Sequence, residues 1–255
     1  MTCPGARPRS KNLAFIHIGT SGWSYDHWQG VLYPHGVSSR ERLDYYAARF
    51  RTVEVNSTYY RWPFDTTFAA WRNRLPDGFL MTVKAARGLT HVKKLYAPET
   101  WIERIAGGLH ELGHKRGLLL VQLPPRFGYD HARLDYFLQR VPLWINVAVE
   151  FRDPSWHRDE VFALLEQRGA AYCVMSGAGL PCVLRATAPF VYLRLHGPDV
   201  THLYAGSYPD ADLRWWADRV REWAGGGRDV YAYFNNDGHG HAVRNAERLR
   251  ELVGG

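Results

Sequence analysis

In the stretch YFNNDGHGHAVRNAERL, from Tyr233 to Leu249, a strand-like apolar run is followed by three polar residues, a Gly-His-Gly-His segment and a helical pattern. Buried amide and carboxylate groups are costly unless they are hydrogen-bonded. We therefore interpret Asn235, Asn236 and Asp237 as a functional strand end and not as packing alone.

The same alternation of apolar runs and amphipathic segments extends along the whole chain. The runs are FIHIGTSGW, TVEVNSTYY, FLMTVKAA, GLLLVQLPP, NVAVEFRD, AAYCVMSG, FVYLRLHG and VYAYFNND, and helical patterns cover about 39–50, 65–74, 99–113, 130–140, 158–168, 211–224 and 242–252. Strands that alternate with helices pair in parallel through crossover connections.

Eight such units predict an α/β fold, a single-domain TIM-like (β/α)8 barrel over residues 13–255. One unit is expected to be irregular, because the segment AGLPCVLRATAP between the sixth and seventh strands has no clear helical pattern. The alternative is an open doubly wound sheet, which is disfavoured because no Gly-x-Gly-x-x-Gly follows the first strand.

Composition limits the class of protein. No apolar run approaches the roughly 20 residues that a membrane span needs, so no membrane partner is predicted. Residues 1–12, MTCPGARPRSKN, lack an apolar signal region and are predicted to form a disordered basic arm. Three cysteines without a Cys-x-x-Cys pair disfavour a disulfide framework and fit a reducing cytoplasm. The net charge of +7 leaves nucleic acid open as a partner.

Strand parity predicts a polar site. Successive side chains of a strand point to opposite faces, so Val53 and Val55 share one face while Glu54 and Asn56 share the other. The same alternation places a polar set at the carboxyl ends of the strands: Glu54, Asn56, Lys84, Gln122, Glu150, Arg152, Arg194, His196, Asn235 and Asn236, with Asp237 beside them. TIM barrels bind ligands at this end, which we call the mouth. The alternative is a polar plug whose members only pair with one another.

Aromatic residues crowd the loops above the predicted mouth. Those included in the predicted ligand site are Trp23, Tyr25, Tyr59, Trp156, Tyr204 and Tyr208, the last two in a loop long enough to act as a lid. Such rims stack on bases or on sugar faces. Packing among the loops is the alternative explanation.

The charged residues favour an anionic ligand and acid–base chemistry. The predicted catalytic residues are His196 as the acid–base group, with Glu54 and Glu150 to orient it. The cations Lys84, Arg152 and Arg194 would hold a phosphate or stabilise developing negative charge.

Two other chemistries are disfavoured. Glycoside hydrolysis needs one protonated carboxyl, and the neighbouring cations would keep both glutamates ionised. No metal or other cofactor is predicted, because the His and Glu residues match no metal-binding spacing and lie near three cations.

Five motifs together resemble the DUF72, or YecE-like, family: IGTSGWSYDHWQGVLYP, VEVNSTYY, VAVEFRDPSW, YLRLHG and YFNNDGHGHAVRNA. The resemblance runs from about Ile16 to Leu252. It implies a TIM-like barrel of unestablished biochemical function, likened in shape to endonuclease IV and sugar isomerase barrels, which suggests DNA or sugar-phosphate binding. The family's motif residues fall on Trp23, Glu54, Asn56, Tyr59, Glu150, Arg152, Arg194, His196, Gly197, Asn235 and Asn236.

We therefore expect hydrolytic or acid–base chemistry on a small phosphate- or sugar-containing ligand. The alternative is a non-catalytic protein that binds nucleic acid or a nucleotide. The sequence does not decide whether the protein is an enzyme.

Overall fold

A computed structural model describes residues 14–254. The predicted basic arm, residues 1–12, lies outside the described residues. The strands are β1 Ile16–Thr20, β2 Thr52–Val55, β3 Leu80–Lys84, β4 Arg116–Gln122, β5 Val147–Glu150, β6 Ala171–Ser176, β7 Phe190–Leu195 and β8 Asp229–Phe234. The α-helices are α1 Arg42–Arg49, α2 Ser57–Tyr60, α3 Asp65–Arg74, α4 Glu99–Glu111, α5 His131–Arg140, α6 Asp159–Arg168, α7 Asp210–Gly225 and α8 His241–Gly254.

All eight strands are parallel, in the order β1-β8-β7-β6-β5-β4-β3-β2. From β2 to β8 each strand pairs with the next one in sequence, and β1 pairs with β8, so that only the junction between β1 and β2 is left to close the barrel. The predicted TIM-like fold is therefore confirmed. The expected irregular unit is confirmed as well, because no helix separates β6 from β7.

The barrel closes between β1 and β2 through a narrow seam. A single parallel bridge joins Ser21 to Glu54, just beyond β1. Below it, the Tyr46 hydroxyl accepts a hydrogen bond from the Thr20 amide at 3.0 Å and donates to the Thr52 carbonyl at 2.9 Å. The strands are close here, since a Cβ on Gly19 would lie 2.3 Å from that carbonyl oxygen. A helix side chain thus takes the place of strand-to-strand hydrogen bonds.

Local sequence signals explain where helix α5 begins and where helix α6 ends. The Asp130 side chain accepts a hydrogen bond from the Arg133 amide at 3.0 Å and caps α5. Gly169 follows α6 with a φ of 65°, the left-handed conformation that glycine adopts without strain. The first signal sets the start of α5 and the second sets the end of α6, directly before β6.

Two apolar clusters hold the barrel. The larger one joins the outward faces of the strands to the helices and includes Val53, Val55 and Val149. The smaller one fills the barrel interior and includes Leu118, Leu120, Ala148, Cys173, Tyr192 and Tyr233. Above this interior cluster the inward-facing residues become charged, and this change marks the floor of the mouth.

Candidate functional site

The deepest charged residue of the mouth is Arg194 on β7, which lies between two glutamates. Its Nη2 donates to Oε1 of Glu54 at 2.7 Å, and its Nη1 donates to Oε2 of Glu150 at 2.6 Å. All three side chains are fully buried. β2, β5 and β7 therefore place one guanidinium between two carboxylates, an arrangement we call the floor triad.

Glu54 is fully satisfied by hydrogen bonds. In addition to Arg194, it accepts from the Ser21 hydroxyl and, at 2.6 Å, from the Tyr192 hydroxyl. Burial raises the pKa of Glu54, but the charge of Arg194 and these donors outweigh that effect and hold the pKa below its ordinary value. Glu54 is thus an ionised, immobilised carboxylate.

Glu150 is held in the same way by two arginines. The Nε of Arg152 donates to Oε1, opposite the contact of Arg194 with Oε2. Burial raises the pKa of Glu150, but the charges of Arg152 and Arg194 overcome it and hold the pKa well below the ordinary range. Both predicted catalytic carboxylates are therefore ionised and paired, and neither exposes surface to a ligand.

His196 lies directly after β7 and is also fully buried. Its Nε2 lies 3.2 Å from Nη2 of Arg152, and its Nδ1 lies 3.2 Å from Nδ2 of Asn235. Burial and the charge of Arg194 lower the pKa of His196 to about 4. The imidazole is therefore neutral near pH 7 and has both nitrogens engaged, which makes it a poor proton donor to a ligand.

Lys84, the last residue of β3, differs from the other cations of the mouth. No carboxylate oxygen of residues 14–254 lies within 4.0 Å of its Nζ, which faces the Tyr59 ring at 4.6 Å from the centroid. Burial and the charge of Arg194 lower the pKa of Lys84 to about 7. Near neutral pH its amine is therefore partly in the free-base form.

A partly exposed upper layer covers the floor triad. Lys84, Asn56 and Asn235 belong to it as half-buried residues, and the Arg152 side chain, which is only 5% exposed, lies beneath Tyr204. Tyr204, which is 41% exposed, lies above His196 with a ring distance of 5.3 Å and accepts from Arg152 at 3.3 Å. A ligand entering the mouth would meet this layer first. Gln122 ends β4 next to Glu150 and is 9% exposed.

A cavity of about 240 Å³ lies at the edge of this layer. Its lining residues are Gly22, Trp23, Ser24, Tyr25, Asn56, Ser57 and Tyr60. The side-chain oxygen of Asn56 is buried there without a hydrogen-bond partner. Trp23 and Tyr25 therefore stand where the sequence predicted aromatic rim residues, and they enclose a polar atom that a ligand could satisfy.

Four of the sequence-predicted ligand residues lie elsewhere. Trp156 is fully buried, stacks on Phe151 at 5.0 Å and donates to the Phe127 carbonyl, so it packs a loop beneath the rim. Tyr208 is 5% exposed, and its hydroxyl donates to the Ser176 hydroxyl at 3.0 Å.

The two other displaced residues follow β8. Asn236 is fully buried and donates to Gly206 and Asn245, on the side of the chain opposite the mouth-facing Asn235. The carboxylate of Asp237 faces His27 at 3.3 Å, outside the ring of strand ends. We therefore leave these four residues out of the site that we propose.

The structure adds residues that the sequence prediction did not place in the site. Ser21 and Tyr192 donate to Glu54, and both could have been found by extending the parity argument to hydroxyl side chains.

His91 lies in a π-helical turn, Gly88–Val92, with its ring 5.0 Å from that of Tyr59. Burial and the charge of Lys84 lower its pKa to about 4. A π-helical turn is common near functional sites but has no clear sequence signal.

Among residues 14–254, no group of three or more His, Cys, Asp or Glu side chains is arranged to hold a metal ion. Over the same range, no helix has the length and apolar character that a membrane crossing requires.

Comparison with known proteins agrees with this architecture. The family model described as a protein of unknown function, DUF72, matches residues 17–255. The UPF0759 protein YunF of Bacillus subtilis is 28% identical over 93% of this chain and 94% of its own length. The UPF0759 protein YecE of Escherichia coli K12 is 29% identical over 55% of this chain and 50% of its own length.

Solved structures show the same fold. A DUF72 family protein from Thermotoga maritima superposes with a TM-score of 0.84 at 28% identity, covering 94% of this chain and all of the other. A D-psicose 3-epimerase shares the barrel with a TM-score of 0.55, covering 94% of this chain and all of its own. At 12% identity, that second likeness concerns the fold alone.

Proposed function

The chain belongs to the DUF72 family, and we propose that its barrel mouth binds a small phosphate-bearing ligand with a sugar or nucleotide ring and acts on it by proton transfer. The observation that carries this proposal is the charge balance of the mouth. The two carboxylates Glu54 and Glu150 are neutralised by the two guanidiniums Arg194 and Arg152. The remaining positive charge comes from Lys84, and from Arg87, whose charge acts on Tyr59 and His91.

An excess of positive charge beside a closed ion-pair network favours an anionic ligand group. Phosphate suits this site because its oxygens accept hydrogen bonds from ammonium and guanidinium groups together. The Nη2 of Arg152 donates a long hydrogen bond of 3.3 Å to the Tyr204 hydroxyl. A ligand oxygen could take the place of that hydroxyl as the acceptor. We therefore place the phosphate against Nη2 of Arg152, which leaves the amine of Lys84 free to react with the rest of the ligand.

The ring of the ligand would lie toward the aromatic side of the mouth. Tyr60 is 81% exposed and lines the same cavity as Trp23 and Tyr25. Exposed aromatic faces stack on sugar rings and on bases. The unpartnered oxygen of Asn56 would accept a hydroxyl or amino group of that ring.

Lys84 suits proton transfer better than the sequence-predicted His196. A general base works best when its pKa is near the working pH. The pKa of Lys84 is about 7, whereas that of His196 is about 4. In this proposal Lys84 exchanges the proton, while Glu54, Glu150 and His196 hold the arginines in position.

Binding is tested by calorimetric titration with ribose 5-phosphate, glucose 6-phosphate, AMP, the unphosphorylated sugars and inorganic phosphate. At least one phosphorylated ring compound is expected to bind more tightly than inorganic phosphate, and binding should weaken as salt is raised. Lys84→Met should weaken it at least tenfold, and Lys93→Met, at an exposed lysine, should not. Equal binding by both variants, or no binding above that of inorganic phosphate, would refute the proposal.

Proton transfer is tested separately by ¹H NMR in D₂O with each compound that binds. Wild-type protein should exchange a carbon-bound proton for deuterium, or hydrolyse the ligand, and Lys84→Met should not. Tight binding with no exchange and no turnover would favour the non-catalytic alternative.

Exposed aromatic side chains support that second candidate, a protein that binds single-stranded nucleic acid. Tyr60 and Phe64 are 81% and 77% exposed, and the net charge is +7. Bases stack on such platforms while cations follow the phosphates. An oligonucleotide that binds at least tenfold more tightly than its mononucleotide and is recovered unchanged would support this candidate.

A further inference from the structure

We propose that Lys84 is a covalent nucleophile whose Nζ condenses with the aldehyde or ketone carbon of the bound ligand to form an imine. This inference rests on the proposed function and narrows its substrate class to phosphorylated compounds that present a free carbonyl, such as open-chain sugar phosphates.

Lys84 is a half-buried residue of the mouth whose amine lacks an anionic partner. It lies at the end of β3, at the level of the upper layer, and is only partly buried. Within residues 14–254, no carboxylate oxygen comes within 4.0 Å of Nζ. A lysine that serves only the fold would be expected to have its ammonium group paired or hydrogen-bonded.

Lys115 is an example of such a structural lysine in the same chain. It is 7% exposed, donates to the Arg72 carbonyl at 2.9 Å and to the Leu75 carbonyl, and has Asp77 at 3.8 Å. These acceptors satisfy the N–H donors of the Lys115 side chain. Within the described residues no such acceptors surround Lys84, so the two lysines have different environments.

The floor triad explains why Lys84 is left without a partner. Glu54 and Glu150 are the acidic side chains nearest the centre of the mouth, and Arg194 and Arg152 occupy their oxygens. The same two guanidiniums repel an ammonium, which agrees with the lowered pKa of Lys84. The Tyr59 ring offers only the weaker attraction of a cation for an aromatic face. The site thus favours the neutral amine, the form that attacks a carbonyl.

The reaction is balanced without a redox partner. The lone pair of Nζ forms a bond to the carbonyl carbon as the carbon–oxygen π bond breaks; the nitrogen loses one proton and the oxygen gains one, which gives a neutral carbinolamine. The hydroxyl then leaves as water together with the second proton of the nitrogen, and the resulting carbon–nitrogen double bond gains a proton to become an iminium. The positive nitrogen then withdraws electrons from the adjacent carbon, so that a proton on that carbon becomes easier to remove. Solvent at the open mouth supplies and accepts these protons, because Nζ has no free lone pair once it is bonded to the ligand; in this reaction Lys84 promotes proton exchange through the iminium and not as a free base.

Reductive trapping tests the proposal on the full chain. The protein is incubated with dihydroxyacetone phosphate, glyceraldehyde 3-phosphate or pyridoxal 5′-phosphate, then treated with sodium cyanoborohydride, which converts an imine into a stable secondary amine. Mass spectrometry of the intact chain and of its peptides should find one adduct, on Lys84. It should form at least ten times faster than adducts on Lys93 or Lys115.

Two variants and a pH profile complete the test. Lys84→Met and Lys84→Arg should lose the fast adduct while melting within a few degrees of the wild type, and Lys93→Met should keep it. The trapping rate should level off above about pH 7, the pKa of Lys84, whereas that of an ordinary lysine continues to rise toward pH 10. Adducts spread evenly over the exposed lysines would refute imine formation on Lys84. If the phosphorylated ligands still bind in that case, the proposed ligand binding stands without the imine. If they do not bind, both the proposed function and the imine proposal fail.

Discussion

Arg194 donates from Nη2 to Oε1 of Glu54 at 2.7 Å, and neither side chain exposes any surface to solvent. On its other side the same guanidinium binds Glu150 at 2.6 Å. Removing charges from water is costly, and the cost is recovered only where geometry and hydrogen bonding are good. The floor triad meets that condition for both carboxylates, so the loss of its central cation should be severe.

We expect Arg194→Met to destabilise the protein by about 3–5 kcal/mol, because it leaves two buried carboxylates facing each other without their shared partner. Urea denaturation followed by circular dichroism measures the change. The control is Arg214→Met, which removes an exposed pair with Asp210 and should cost less than about 1 kcal/mol. Similar costs for the two variants would show that the triad does not hold the strand ends together.

Strand parity could be read from the sequence because the side-chain period of a strand is fixed. It identified Glu54, Glu150, Arg194 and His196 as inward residues, and the structure brings them together. Parity gives the face of a strand but not the depth of a side chain below the surface. The complete burial of the two glutamates therefore could not be predicted.

Other features depend on contacts between segments that are distant in sequence. Asn235 and Asn236 are adjacent and equally polar, yet they point to different sides: Asn235 lies against His196 in the mouth, and Asn236 donates to the Gly206 carbonyl. Trp156 resembles a rim aromatic in sequence, but Phe127 and Phe151 cover it. Lys84 has no carboxylate partner because Arg152 and Arg194 bind Glu54 and Glu150. Which cations bind these two carboxylates depends on the folded barrel and cannot be deduced from the sequence.

The seam of the barrel gives a second prediction. We expect Tyr46→Phe to cost about 1–3 kcal/mol, because the Thr20 amide and the Thr52 carbonyl lose the hydroxyl that joins them. Denaturant unfolding measures the loss, and hydrogen exchange should quicken at the Thr20 amide. The neighbouring Tyr45, 39% exposed on the same helix, provides the control Tyr45→Phe, which should change stability by less than about 0.5 kcal/mol. Equal effects would mean that the seam does not need the hydroxyl.

The pH dependence of stability gives a third prediction, through Lys84. Burial lowers its pKa from an ordinary value of 10.5 to about 7 in the folded protein. Between these two values the unfolded chain binds more protons than the folded one, so this residue makes stability rise with pH. Below about pH 7 both states are protonated, and the full penalty of a charged Lys84 is present.

Lys84→Met should therefore be more stable than the wild type at pH 6, and this advantage should shrink steadily between pH 7 and 10. The slope of the difference cannot exceed about 1.4 kcal/mol per pH unit for one proton. Thermal unfolding of both proteins across this range, with Lys93→Met alongside, measures it. A difference that stays constant with pH would show that Lys84 titrates as an ordinary lysine.

The Tyr59 ring gives the last prediction, because it lies 4.6 Å from the Lys84 amine and is the group that favours its charged form by direct contact. A cation over an aromatic face gains about 0.5–1 kcal/mol at a partly exposed site. Tyr59→Leu should therefore lower the pKa of Lys84 further below about 7, by roughly half a pH unit. The pH profile of reductive labelling with pyridoxal 5′-phosphate reports this pKa. The control is Tyr45→Leu, at an exposed tyrosine of α1, and it should leave the profile in place. A rise in the pKa of Lys84 in Tyr59→Leu would mean that the ring acts mainly by excluding water from the amine, and not through its electrons.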